Sequence, residues 1–337
     1  MIQGIMNTTA RPPDPRGWWF GAALLLVAVT ACHPEVSPLP PPPAGQGFQL
    51  RTQARSVAPG VEMQDCYFFR VPADSDTFIK RIVLAQSTGS HHLNVFRVRT
   101  LVDLRGEDGA VVRGDDPTSP CWQSANWADW PLVANTQLSA ADHPPVELSL
   151  PEGVAHRFAP RELLMVQTHF VNASTQQTPD VAEAWINFEF LPKEQFKAEL
   201  GTLFATNQNI QVCPGESKFF EKVCRLPRAV TVFGANGHFH SRGRRFQMNV
   251  WSELSGKGAL FYDSSSWDEP LMATGLSVPV PAQSGVSYRC EFQARSSDCG
   301  DPAKGCCFTF GPKVETNEHC NAFVYYYPKV DTDVSCF

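Results

Sequence analysis

"RELLMVQTHFVN" (Arg161–Asn172) decides how the rest of the chain is read. Leu163, Met165, Gln167 and His169 alternate with Leu164, Val166, Thr168 and Phe170. A period of two is the signature of a β-strand, whose successive side chains point to opposite faces. The same short, turn-bounded runs recur on both sides. "DCYFFRVP" (Asp65–Pro72), "FIKRIVLAQ" (Phe78–Gln86), "HHLNVFRVR" (His91–Arg99), "VELSLP" (Val146–Pro151) and "AWINFEFLP" (Ala184–Pro192) belong to the N-terminal half. "FQMNVWSEL" (Phe246–Leu254), "SYRCEFQA" (Ser287–Ala294) and "AFVYYYP" (Ala322–Pro328) belong to the C-terminal half. Gly, Pro, Asn and Asp separate them, and helical periodicity is scarce. This spacing predicts an all-β protein built of sandwiches. A boundary near "LPKEQFKAELGT" (Leu191–Thr202) divides the folded chain into residues 48–192 and 193–337.

The N-terminus predicts export. Arg11 and Arg16 precede the apolar run "WWFGAALLLVAVTA" (Trp18–Ala31), which is short for a membrane span. "VTAC" (Val29–Cys32) resembles a bacterial lipobox. Residues 1–31 then read as a lipoprotein signal peptide and Cys32 as the lipidated residue. "HPEVSPLPPPPAGQG" (His33–Gly47) completes a Pro-rich tether over 32–47. The expected location is the bacterial cell envelope, at the outer membrane, held by the lipid anchor. The chain has 11 cysteines; with Cys32 carrying lipid, an even set remains for disulfides in an oxidising compartment. Net charge is −6 with no Lys/Arg cluster, which argues against a nucleic-acid partner.

The nine histidines carry the functional signal. "HFHSRGRR" (His238–Arg245) holds His238 and His240, which share one strand face and can offer two imidazoles to one metal ion. His91 and His92 are adjacent, so they share a metal only where a bulge re-aims one ring; "STGS" (Ser87–Ser90) is placed to supply it. His169 stands alone on its strand, and His319 sits beside Cys320. Taken singly, each of these also suits an ordinary buried or surface histidine. In order they run pair, single, pair, single, which makes two three-ligand sites.

That order resembles the copper type II, ascorbate-dependent monooxygenases, the family of dopamine β-monooxygenase and peptidylglycine α-hydroxylating monooxygenase. His91, His92 and His169 match the family's first copper site. "HFHSRGRR" matches the His-X-His-X-X-Gly-basic segment of the second. "LPEGVAHRF" (Leu150–Phe158) and "EHCNAFVYYYPKVDTDVSC" (Glu318–Cys336) extend the likeness over roughly Val61 to Cys336. The resemblance implies two tandem antiparallel jelly-roll-like sandwiches, each holding one copper, facing each other across a solvent-filled cleft. It implies disulfides Cys290–Cys320 and Cys224–Cys336, leaving Cys66, Cys121, Cys213, Cys299, Cys306 and Cys307 unassigned. Adjacent Cys306 and Cys307 are each expected to have a distant partner.

The chain departs from the family where chemistry is decided. The family's second copper takes a methionine at the position of His319, so His238, His240 and His319 form an all-imidazole set. The arginine that holds a peptide carboxylate is replaced by Asn236, and a substrate tyrosine by Phe323. The resemblance thus implies an exported copper monooxygenase, with two coppers per chain. It would hydroxylate a small organic substrate with O2 and a one-electron donor such as ascorbate, using His238, His240 and His319 at the oxygen-binding copper. The alternative is a copper-binding lipoprotein that buffers, senses or delivers the metal on the same scaffold. An envelope protein without metal is a further reading, and so is a zinc hydrolase, for which Glu318 is the nearest candidate base but is poorly placed beside a ligand.

Overall fold

In the computed structural model, alternating polarity along the chain resolves into strands throughout. It describes residues 39–101, 104–116, 118–122, 130–138, 144–173, 180–330 and 334–336. The signal peptide, Cys32, His33 and His143 lie outside the described residues. Each run named above lies on a strand, and the only helical turns among the described residues are short 3-10 segments at Lys193–Gln195 and Pro302–Lys304. The protein is all-β and sandwich-like.

In the N-terminal half, one sheet is ordered Gly47–Arg51, Ala184–Phe190, Thr77–Gln86, Val154–Phe158 and Ala198–Glu199, with Val146–Ser149 also on Thr77–Gln86. The second is ordered Val111–Val112, Glu62–Arg70, Leu163–Val171, Ser90–Arg97 and Leu132–Thr136. Their facing sides make one core in which Ile82, Leu84, Ile186 and Phe188 meet Phe68, Val95, Leu164 and Val166. The C-terminal half repeats the plan. Val230–His238, Asn321–Tyr327 and Gly201–Thr206 lie in one sheet; Ser217–Arg225, Ser284–Gln293, Gly243–Ser252 and Gly256–Ser264 form the other. Val232, Ala235, Ala322 and Val324 pack there against Phe246, Met248, Val286 and Tyr288.

The junction falls a little later than residue 192. Ala198–Glu199 pairs in parallel with Val154–Ala155, so the first sandwich keeps the chain to Glu199. The tether also ends earlier than composition indicates. Asn187 Nδ2 donates to the Pro40 carbonyl at 2.7 Å and Gln49 Nε2 to the Leu39 carbonyl at 2.7 Å, which holds the end of the Pro-rich segment against the sheet.

Five disulfides staple the fold. Cys224–Cys336 and Cys290–Cys320 are the two pairs that the resemblance implied. Cys66 bonds Cys121 and Cys213 bonds Cys307. Cys306 departs from the expected distant partner, because it bonds Cys299 only seven residues away. A local turn closes that small loop: Gly300 N donates to the Cys306 carbonyl and Cys306 N to the Asp301 carbonyl.

Candidate metal centre

Strand alternation sends apolar side chains into each sandwich and polar ones outward. On the N-terminal side the outward face of the sheet holding Leu163–Val171 carries Glu62, Gln64, His92, Asn94, Gln167 and His169. These residues are buried or half-buried; the Cys121–Trp122 segment lies over Gln64, Gln167 and His169, and His238 of the C-terminal sandwich stands against His92. Asn236 and His238 point back from the facing strand. Phe233, Phe323 and Tyr325 from the C-terminal half pack into the first core. Phe323 also stacks on Phe204 at 5.1 Å, so this position is structural packing in this chain.

A bulge falls at His91. His169 is registered with His92 and Phe170 with Ser90, leaving His91 as the extra residue. That irregularity turns the His91 ring to the same side as its neighbour, and the two centroids are 5.4 Å apart. His91 and His92 lie 5.0 and 4.9 Å from His169. On the other sandwich the strand ends at His238, and His240 lies in the turn that follows, 5.2 Å from His238. Gly243 closes the turn by donating its N–H to the His240 carbonyl at 2.9 Å. A Cβ there would come within 1.8 Å of the Phe239 ring, which explains the glycine of the His-X-His-X-X-Gly segment. His319 completes this side, 4.3 Å from His240 and 5.1 Å from His238, and the Cys290–Cys320 disulfide anchors the next residue.

The resemblance implied two sites separated by a cleft. The structure brings all six rings into one cluster instead. His91 is 5.1 Å from His238 and 5.6 Å from His240, and His92 is 5.4 Å from His238. Two sets of ring nitrogens converge closely enough to hold an ion, His91–His92–His169 and His91–His238–His240, with His91 in both. His319 contacts the second set through its Nδ1, 3.0 Å from His238 Nε2.

Hydrogen bonds around the cluster fix which nitrogen of each ring faces inward. His240 Nδ1 lies 3.1 Å from the Asn317 carbonyl, which can only accept, so Nδ1 carries the proton and Nε2 is bare. His169 Nε2 donates to Glu62 Oε1 at 2.9 Å, leaving Nδ1 bare. For His92 the partner is Gln167. Its amide nitrogen is turned to the Cys121 carbonyl and its oxygen accepts from Asn94, so His92 Nε2 donates and Nδ1 is bare. His238 follows the same logic through a longer chain. Asn236 Nδ2 donates to the Leu271 carbonyl, Gln137 Nε2 donates to Asn236 Oδ1 at 2.7 Å, and Gln137 Oε1 therefore accepts from His238 Nδ1 at 2.7 Å. His238 Nε2 is left as an acceptor.

The result fits a metal ion. His91 Nε2, His92 Nδ1, His169 Nδ1 and His240 Nε2 are buried ring nitrogens with no hydrogen-bond partner. Lone pairs buried without donors are costly unless a cation meets them. Outer acceptors that hold the opposite N–H are the usual support of metal-bound histidine. Burial also pushes His91, His92, His238 and His319 well below the ordinary imidazole range, and His240 down to about 4, with the neighbouring imidazoles adding to it for several of them. At neutral pH those rings are uncharged and ready to ligate. Neutral imidazole suits copper and zinc alike.

Glu318 does not face the cluster as a base. Its carboxylate is fully buried and accepts from the backbone N–H of His240 at 2.9 Å and of Arg242 at 2.8 Å, clamping the turn. Burial pushes its carboxyl up to about 8 in spite of those donors. Glu62 behaves oppositely. Burial raises it, but the hydrogen bond from His169 outweighs that, with the Val314 N–H assisting, and holds it below its ordinary value. Glu62, Gln137 and Gln167 escaped the histidine-based reading. Alternation offered a trace of two of them: Glu62 and Gln64 are polar at spacing two on a buried strand, as Gln167 and His169 are. Gln137 has no such trace.

No protein-family model matches the chain, and no curated protein matches it. Among solved structures it has weak likenesses to the infectious bursal disease virus Gx strain structure, with 9% identity over 88% of this chain and 76% of that one and a TM-score of 0.19. The N-terminal CBM22-1–CBM22-2 tandem domain of Paenibacillus barcinonensis Xyn10C is similar at 12% identity over 83% and 86%, with a TM-score of 0.19. At such TM-scores these likenesses say nothing of this chain's chemistry.

Proposed function

We propose that this protein is an exported copper-dependent monooxygenase. It would hydroxylate a small organic substrate with O2 and a one-electron donor such as ascorbate. The observation that carries the metal part is the inward set of unpartnered ring nitrogens, each held by an outer acceptor or a bulge. The copper and oxygen chemistry rests on the ordered sequence likeness of His91, His92, His169, His238, His240 and His319. His91, His92 and His169 would hold the electron-transfer copper; His238, His240 and His319 the copper that meets oxygen. Bound copper supplies one-electron redox chemistry. The protein's own residues fix the tautomers and exclude water. The five disulfides agree with an oxidising compartment, and Cys32 would anchor the chain to the envelope by lipid.

His319 favours a second reading, a copper-binding lipoprotein without hydroxylase activity. An imidazole in place of a thioether serves Cu(II) as well as Cu(I), which suits retention over turnover. One experiment separates the readings. The chain is expressed in an oxidising compartment, loaded with copper and assayed for metal content and ascorbate-dependent oxygen uptake, as wild type and as His319→Met. Copper with product-coupled uptake in the wild type supports the enzyme. Copper with no uptake until the substitution is made supports the binding protein. Less than one tightly held copper per chain sinks both.

A further inference from the structure

The ring distances across the two halves, 5.1 to 5.6 Å, are close to those within them, 4.3 to 5.4 Å. His91 stands 5.0 Å from His169 on its own sheet and 5.1 Å from His238 on the other. We infer that the six imidazoles form one dinuclear centre, whose two copper ions are magnetically coupled through a small bridging anion such as hydroxide. This rests on the copper reading above and changes what the site is: one centre in place of two independent ones.

Three observations carry it. First, His91 lies within ligand distance of both nitrogen sets, so the sets abut with no protein layer between them; with His91 serving His92 and His169, His319 completes His238 and His240. Second, the halves are locked in this arrangement by a buried polar network. Tyr325 donates its hydroxyl hydrogen to Asn135 Oδ1 at 2.5 Å, and Asn135 N donates to the Tyr325 oxygen at 3.0 Å. Asn135 Nδ2 and Gln137 Nε2 both donate to Asn236 Oδ1. All four side chains are buried. Opening the halves would break each of these bonds and the Val314 N–H contact to Glu62 at 3.4 Å. Third, His319 makes both ligand sets all-imidazole, so the two ions have matched surroundings. The two nearest carboxylates are engaged elsewhere, Glu62 by His169 and Glu318 by backbone N–H. Two divalent ions this close repel, and the anion that offsets the repulsion must come from solvent.

The test uses the full chain loaded with Cu(II) and no reductant. Copper per chain is measured alongside the integrated electron paramagnetic resonance intensity, before and after acid release of the metal. The expected result is two coppers per chain, loss of most of the spin intensity or a half-field transition, and full intensity after release. Two coppers with full intensity and no half-field transition before release would overturn the single centre and leave the copper reading standing. A single copper per chain would also overturn the pair. Less than one would end the copper reading itself, and this inference with it. As a second measurement, Asn135→Ala with Tyr325→Phe, which leaves Gln137 on His238, should restore spin intensity at two coppers per chain if the network holds the two sets together. Silence that persists in a folded variant lacking these bonds would overturn the proposed lock.

Discussion

Gln137 Oε1 lies 2.7 Å from His238 Nδ1, and the contact crosses from the N-terminal sandwich to the C-terminal one. The amide cannot flip without turning its nitrogen away from two acceptors, Asn236 Oδ1 and the Gly237 carbonyl. The histidine therefore presents Nε2 to the cluster. Replacing Gln137 by Leu keeps the bulk and removes the acceptor. We expect copper affinity at the His238 set to fall about 10–100-fold, the usual cost of losing a ligand's outer partner. Chelator competition on wild type and variant measures it.

Glu62 does the same for His169 and adds charge. Glu62→Ala should weaken copper binding by about 10–100-fold, and Glu62→Gln, which retains an oxygen acceptor, by less. Equal losses in the two variants would mean that the negative charge, and not the hydrogen bond, supports the ring. The comparison needs only metal titration and is independent of turnover.

How much of this was legible in the chain follows from one period and one limit. Strands such as Leu163–Val171 and Ala184–Phe190 show their alternation openly, because one face is apolar core. Val230–His238 does not, since Gly234 and Gly237 stand in it and a bulge shifts its register between Val232 and Gly234. The six candidate ligands were visible as residue types in order. Their convergence was not, because distance between sandwiches is set by the interface of Asn135, Gln137, Asn236 and Tyr325, residues far apart in sequence. Asn236 in particular is legible only as a departure from the family's arginine; its role in the network emerges from the packing.

Away from the centre, Asp65 offers a test of the first sandwich. Its carboxylate is fully buried and accepts from Arg55 at 2.6 Å, Arg113 at 2.6 Å and the Gly114 N–H at 2.9 Å. Asp65→Ala leaves two guanidinium groups without their shared partner. Arg55 keeps Asp115 and Arg113 is more than a third exposed and keeps Tyr67, so the loss is that of the buried hydrogen bonds, discounted for solvent, about 1–3 kcal/mol. Chemical denaturation followed by Trp fluorescence should show that loss, with copper binding preserved in whatever fraction remains folded.

Acid stability provides the last prediction, through His156, which is buried beside Phe158 and is not one of the six. Burial, with Arg97 and Lys329 adding positive charge nearby, holds its imidazole well below the ordinary histidine range. At pH 7 the ring is neutral whether the chain is folded or not, so it costs nothing. Below about 6.5 the unfolded chain takes up a proton that the folded protein refuses, and each further pH unit favours unfolding by up to about 1.4 kcal/mol until the depressed folded value is reached. Stability should therefore fall as pH drops from 7 to 5. His156→Leu removes this contribution, so the variant, whatever its stability at pH 7, should lose less over the same interval. Denaturation of metal-free wild type and variant at both pH values gives the double difference. An identical drop in the two proteins would show that His156 protonates as readily folded as unfolded, and that the acid sensitivity resides in the histidine cluster.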